Sequence, residues 1–171
     1  MRNWLYWNES GRFVRERRGR IATDADTSAG VAAGDYDGDG DLDLFVANWG
    51  SGDELNALYR NDGARGGWLV VRLEGHRSNR MGLGVRLRAR ATIAHRAVTQ
   101  TRWNYPATGY GSQSAPELHL GLGDARVVDT LELRWPSGQV DVHVAVPVNH
   151  VWRAVEGARA LRAEPAPRRP T

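Results

Sequence analysis

The sequence predicts an all-β chain in three parts: a blade-type repeat segment over residues 1–66, a β-sandwich or open-barrel domain over 67–157, and a disordered tail over 158–171. Three observations predict it. A near-repeat recurs at the spacing of blade-type β units, long runs alternate apolar and polar residues with period two, and a dense aspartate loop sits between two short apolar, β-prone runs.

The repeat comes first in the chain. Asn3-Trp-Leu-Tyr-Trp-Asn8-Glu-Ser-Gly11 recurs as Asn56-Ala-Leu-Tyr-Arg-Asn61-Asp-Gly63, an offset of 53 residues. A unit of that length is a small sheet that cannot bury its faces alone. The chain starts in mid-repeat, with one full period from Asn3 to about Leu55 and the opening of another. The Arg15-Glu-Arg-Arg-Gly-Arg20 cluster reads as a loop between blade strands.

Within this segment lies Asp35-Tyr-Asp37-Gly38-Asp39-Gly40-Asp41-Leu42-Asp43, five aspartates in nine residues. Aspartates at positions 1, 3, 5 and 9 supply hard carboxylate oxygens and position 7 offers a backbone carbonyl, a ligand set that Ca²⁺ accepts. Gly38 and Gly40 tolerate the positive φ that lets successive side chains converge. Two carboxylates about 5 Å apart repel by roughly 3 kcal/mol at an effective dielectric near 20, so five together need a counter-charge. The predicted metal residues are therefore Asp35, Asp37, Asp39, Asp41 (through its backbone) and Asp43, and the predicted cofactor is Ca²⁺. The EF-hand is the nearest competing motif, but it demands a bidentate Glu at position 12, which here is Val46. The flanks, Val31-Ala-Ala and Leu42 through Trp49, lack helical periodicity and place the loop between two strands.

From Gly67 the pattern changes to long alternating strands. Val85, Leu87, Ala89, Ala91 and Ile93 alternate with polar residues, the pattern of a strand with one buried and one wet face. Leu69, Val71 and Leu73 follow the same rule, as do Leu118, Leu120 and Leu122, then Leu131, Leu133 and Trp135, and last Val140, Val142, Val144 and Val146. Trp135-Pro-Ser-Gly138 is a turn, with proline presetting φ and glycine completing it. Beyond Gly157 the composition holds too little apolar surface to order itself.

Composition narrows the function classes. At 171 residues, 41% hydrophobic and 25% charged, the chain is ordinary for a soluble globular protein. No apolar run approaches the ~20 residues of a membrane span, and the first residues lack the apolar core of a signal peptide. With no cysteine, disulfides, thiolate metal sites and cysteine nucleophiles are excluded. All 23 basic residues are arginine, which points first to a GC-rich genome. Charge is unevenly placed: residues 24–62 hold ten of the twenty acids, and residues 65–102 hold nine arginines and one acid.

Gly34 through Asn48 resembles the FG-GAP (VCBS) repeat, the calcium-loop blade of integrin-α-type β-propellers. Residues 68–156 resemble the ASPIC/UnbV domain through Ser78-Asn79-Arg80-x-Gly82-x-Gly84, Gly109-Tyr110-x-Ser112-Gln113, Glu117-Leu-His119-x-Gly121-Leu-Gly123 and Arg134-Trp-Pro-Ser-Gly138. The order is that of cartilage acidic protein and its bacterial relatives. The resemblance implies partial β-propeller blades with a calcium loop, an extracellular or cell-surface setting, and ligation of the ion by Asp35, Asp37, Asp39, Asp43 and the backbone of Asp41. It also implies, through some bacterial members, a link to enediyne biosynthesis. Two features depart from the family: there is no signal peptide, and there are too few blades to close a ring. The chain is accordingly expected to be the C-terminal piece of a larger protein or a truncated reading frame.

Other constellations are weaker. Gly109-Tyr-Gly-Ser112-Gln lacks the spacing of a nucleophile elbow and reads as a β-turn. The histidines at 76, 95, 119, 143 and 150 form no close pair, which argues against zinc, and His119 reads as a hydrogen-bonded structural residue. Asp129 and Glu132 read as exposed strand residues. Arg86, Arg88 and Arg90 form a ladder on one strand face, with Arg72, Arg77, Arg80, Arg96 and Arg102 in neighbouring segments; such a face suits phosphate, sulfated glycan or nucleic acid, and its simplest reading is a solvated outer face. The lack of interleaved aromatics on that strand and the small net charge argue against nucleic acid.

The expected function is thus a non-enzymatic, calcium-binding β module that presents a surface to a protein or glycan. No nucleic-acid binding and no membrane insertion are expected, and self-association through the incomplete blade is. The rival is an enzyme or accessory in natural-product assembly, with a pocket around Tyr110, Ser112, Gln113 and His119.

Overall fold

The computed structural model describes residues 3–9, 11–50, 55–63, 66–105, 107, 109 and 111–165. Among them are thirteen strands and one four-residue helical turn, arranged in several mainly antiparallel sheets with no closed barrel. The chain is all-β, as the alternation predicts. It forms two compact units, Met1–Gly34 with Leu42–Asn61 and Ala107–Ser114, and Asp35–Asp41 with Asp62–Pro106 and Ala115–Thr171.

In the first unit β1 (Tyr6–Glu9) and β2 (Arg12–Arg15) form a hairpin, and the cluster expected as a plain loop runs into the helical turn α1 (Arg20–Thr23). The hairpin carries Tyr6, the first copy of the near-repeat. The second copy supplies β5 (Ala57–Tyr59), which joins β3 (Ser28–Gly34) and β4 (Asp43–Asn48) in the order β3-β4-β5. Ser112 and Ser114 accept hydrogen bonds from the backbone N–H groups of Val31 and Ala33 at 3.0 and 3.2 Å. These bonds satisfy β3 donors outside its ladder with β4 and attach residues 107–114 to this unit, where the sequence reading assigned them to the second domain.

The second unit is a sandwich of two four-stranded sheets. One has the order β11-β10-β7-β8, built from β7 (Arg86–Ile93), β8 (Arg96–Trp103), β10 (Val127–Arg134) and β11 (Val140–Pro147). The other has the order β13-β12-β6-β9, from β6 (Gly67–Glu74), β9 (Leu118–Gly123), β12 (His150–Val155) and β13 (Arg162–Glu164), with β12 and β6 parallel. The inward residues of both sheets, among them Leu69, Val71, Leu87, Leu120, Leu131 and Leu133, are buried in one core. Each such side chain stabilises the fold by about 1.5–3 kcal/mol relative to exposure.

Two expectations are corrected. The tail does not begin at residue 158, because Arg162–Glu164 pairs with β12, Leu161 packs on the core and the Glu164 carboxylate lies between Arg72 and Arg153. Residues 166–171 of that tail lie outside the described residues. On β11 the expected alternation is inverted: Val140, Val142 and Val144 are exposed, while Asp141 and His143 are buried. Asp141 is held inside by Trp135 Nε1, the Gly157 N–H and Gln139 Nε2 at 2.8, 2.8 and 2.7 Å. Three donors outweigh the hydrophobic preference, and positive φ at Ala145 accompanies the switch that returns Val146 to the core.

Candidate metal centre

The aspartate loop connects β3 to β4, between two strands as expected. Its backbone turns at Gly38 and Gly40, whose φ angles are 76° and 96°. The turn is braced by its own acids: Gly38 and Gly40 donate to the two oxygens of Asp35 at 2.7 and 3.1 Å, Asp39 N–H donates to Asp37 at 3.3 Å, and Asp41 N–H donates to Asp39 at 2.9 Å. These bonds aim alternate carboxylates at one place. One oxygen each of Asp35, Asp37 and Asp39 lies within 4.8 Å of the others, and Asp37 is only 3% exposed.

Three of the five predicted ligands are therefore brought together. Asp41 and Asp43 are not members of the carboxylate group; Asp41 contributes its N–H to the brace, and Asp43, buried in β4, accepts the Asn61 N–H at 2.8 Å. Burial pushes the Asp35 carboxyl above its ordinary range; the N–H groups of Gly38 and Gly40 oppose this, and the charges of Asp39 and Asp37 add to it. A converging, partly desolvated all-carboxylate set is the donor chemistry of a hard divalent cation, so these residues fit Ca²⁺.

The loop belongs to the second unit, not to the repeat segment with which the sequence reading grouped it. Two residues on one face of the β6/β9 sheet hold it there. His119 Nε2 lies 2.7 Å from the Gly40 carbonyl, which can only accept, so Nε2 carries the proton. The Trp68 indole covers Gly40 so closely that a Cβ at that position would fall 2.1 Å from Nε1. Gly40 is thus required twice, by its φ and by the indole. Sequence reasoning missed Trp68, since nothing local to either residue signals the contact. His119 is hydrogen-bonded, as its position in a Leu-His-Leu strand suggests, although its partner is not legible in the sequence.

The rival pocket drew on Tyr110, Ser112, Gln113 and His119. Ser112 is bonded to Val31 of β3 and His119 to Gly40, and Tyr110 lies outside the described residues. An open cavity of about 680 Å³ in the first unit is lined by Arg20, Asp24, Asp26, Asn56 and Tyr59, among others. Asp24 there accepts from Tyr59 at 3.0 Å and pairs with Arg20 at 3.6 Å.

A second carboxylate centre, Glu156 at the end of β12, was not foreseen at all. Its Oε2 accepts the N–H groups of His76, Arg77 and Ser78 at 2.8, 2.7 and 2.8 Å, and its Oε1 accepts the hydroxyls of Ser78, at 2.9 Å, and Ser137. Burial would raise this carboxyl, but the hydrogen bonds from Ser137, Ser78 and His76 prevail and hold its pKa at about 2. Much of the Ser78–Gly84 motif serves this turn: Asn79 brackets Leu83 at both its N–H and its carbonyl, and Gly82, at φ 65°, leaves no room for a Cβ beside Leu73.

The fold and these centres define a β module with an acidic loop inserted between blade-type strands and seated on a sandwich. Residues 1–46 match the family model of the FG-GAP-like repeat, the blade unit of β-propellers, and residues 75–161 match that of ASPIC and UnbV. The chain belongs to the ASPIC and UnbV family, with an FG-GAP-like repeat ahead of that domain. No curated protein matches it. Among the described residues no helix is long and apolar enough to cross a membrane.

Proposed function

We propose that this chain is a calcium-binding, non-enzymatic β module that presents a surface to a protein or glycan partner in an extracellular or cell-surface setting. The observation that carries the proposal is the convergence of Asp35, Asp37 and Asp39 within 4.8 Å in a loop anchored by His119 and Trp68. The ion is structural. It adds positive charge where the acids converge, and because it binds the folded loop its binding free energy adds to folding. The site lacks the bidentate Glu of a sensor loop, which favours a permanent brace over a switch.

The non-enzymatic reading is supported by the engagement of Ser112 and His119 with backbone groups. The exposed Phe45 and Leu58, adjacent on β4 and β5, support self-association or cover by a further blade. Titration calorimetry tests the centre: the expected result is one Ca²⁺ per chain, and protein whose melting is indifferent to both Ca²⁺ and EDTA would overturn it. Turnover of ester, phosphate or glycoside substrates that is lost in Ser112→Ala or His119→Ala would overturn the non-enzymatic reading. Light scattering that finds a monomer at all concentrations would overturn self-association.

A further inference from the structure

The two outer faces of the sandwich are finished differently. On the β6/β12 face the arginines are neutralised from within: Arg72 pairs with Glu117 at 3.2 Å and Glu164 at 3.0 Å, and Arg153 pairs with Glu74 at 3.2 Å and with Glu164. On the β7/β8/β10 face the register lays out three rungs, Trp103–Arg86–Arg134–Val140, Thr101–Arg88–Glu132–Val142 and Thr99–Arg90–Thr130–Val144. These rungs carry one acid, Glu132, and Arg86 takes it at 3.3 Å, while the exposed Asp129 lies next to the last rung. Arg88, Arg90 and Arg134 are exposed and make no ion pair with any described residue. Successive outward arginines on β7 are about 6.7 Å apart, a charge ladder along the strand.

Beside the ladder lies a pair of exposed aromatics. Trp103 and Tyr105, 48% and 57% exposed, stack with ring centroids 5.9 Å apart and planes 13° apart, and the Arg86 guanidinium sits 5.8 Å from the Trp103 ring centre. Two adjacent exposed aromatics are costly to leave in water and offer apolar surface to a ligand. The sequence reading argued against nucleic acid on this ladder for want of aromatics on its own strand; the sheet supplies them from the next one.

We propose that this face binds an acidic polysaccharide of the polyuronate class. The apolar faces of the sugar rings stack on Trp103 and Tyr105, the planar carboxylates take the guanidinium forks of Arg88, Arg90 and Arg134, and Thr99 and Thr101 offer hydroxyls to the ring hydroxyls. Charge complementarity selects the occupant, since Arg88, Arg90 and Arg134 make no ion pair with any described residue and the one acid on their rungs is already taken. The chain's net charge of +3 is small for a nucleic-acid binder, which favours a glycan here. The inference rests on the reading of the chain as a surface-presenting module and is independent of the calcium loop.

The test uses the full chain with sodium polygalacturonate, its methyl-esterified form, dextran and single-stranded DNA as probes. Polygalacturonate should bind and weaken as salt is raised between about 50 and 200 mM, and the esterified and neutral polymers should not bind. Arg88→Ala/Arg90→Ala and Trp103→Ala should each weaken binding by about tenfold or more, whereas Arg162→Ala, an exposed arginine on the other sheet, should leave it unchanged. DNA bound as tightly as polygalacturonate, indifference to Trp103→Ala, or no binding at all would overturn the proposal. Calcium-dependent melting is recorded on the same samples, so a face that fails while Ca²⁺ still stabilises the fold sinks only the glycan assignment.

Discussion

Two carboxylate centres in the second unit solve the same problem in opposite ways. Glu156, 8% exposed, is surrounded by donors and is held at a pKa of about 2. The loop of Asp35, Asp37 and Asp39 turns acids toward one another, and Asp35 is pushed upward. Burial penalises both sites; what differs is the direction of the shift, because Glu156 is ringed by donors and Asp35 faces other carboxylates. Glu156 is completed by backbone N–H groups and hydroxyls, whereas the aspartate loop is proposed to take a cation. The first explains a family motif, and the second carries the proposed ligand.

The comparison breaks most visibly at Glu156. Glu156→Ala strands five donors around a void and should cost about 3–5 kcal/mol in urea unfolding, the range for removing one partner of a buried charged cluster. A loss under about 0.5 kcal/mol would show that the nest is not a structural centre. Acid should reach the same site. A folded pKa depressed below the ordinary 4.5 contributes stability that is present above that value and is lost as pH falls toward about 2. The wild-type protein should lose up to about 3 kcal/mol over that interval from this group, and Glu156→Gln should lack that part of the acid limb. Parallel limbs for the two proteins would place the acid sensitivity elsewhere.

On the proposed reading the aspartate loop responds to Ca²⁺. At a Ca²⁺ concentration about 100-fold above Kd the fold should gain about 2.7 kcal/mol, read as a rise in Tm over an EDTA-treated sample. Asp37→Ala/Asp39→Ala should abolish the rise while leaving the Glu156 acid limb in place. An equal rise in that variant would mean that the loop acids are not the ligands.

The difference between the centres also sets what was legible in the sequence. Leu69, Val71 and Val85 through Ala91 announced their strands because a period-two pattern is local, and the aspartate loop announced itself because its donors lie within nine residues. Glu156 did not, since its partners come from residues 76–78 and 137, and no spacing connects them. The inverted face of β11 was hidden for the same reason: the bonds that draw Asp141 inward come from Trp135, Gln139 and Gly157, and local hydrophobicity pointed the other way. Patterns along the chain reveal strands and contiguous loops, whereas a site assembled across strands is visible only in the fold.

The smallest expected effect sharpens the comparison most, because it asks what fastens the open loop to the sandwich. His119 donates to the Gly40 carbonyl at 2.7 Å, a single hydrogen bond, so His119→Ala should cost about 1 kcal/mol in EDTA, the ordinary net value of such a bond. The carboxylates themselves are untouched by this change. The loop then loses a fixed point one residue from Asp39 and must order more of itself when the ion binds, so Ca²⁺ affinity should fall by several-fold while the one-to-one stoichiometry stays. Glu156 should be unaffected, and the acid limb should superimpose on that of the wild type. Titration calorimetry and acid unfolding on one preparation separate these outcomes. Unchanged affinity would mean that Trp68 and the loop's own hydrogen bonds suffice to shape the site, and that His119 secures the sandwich alone.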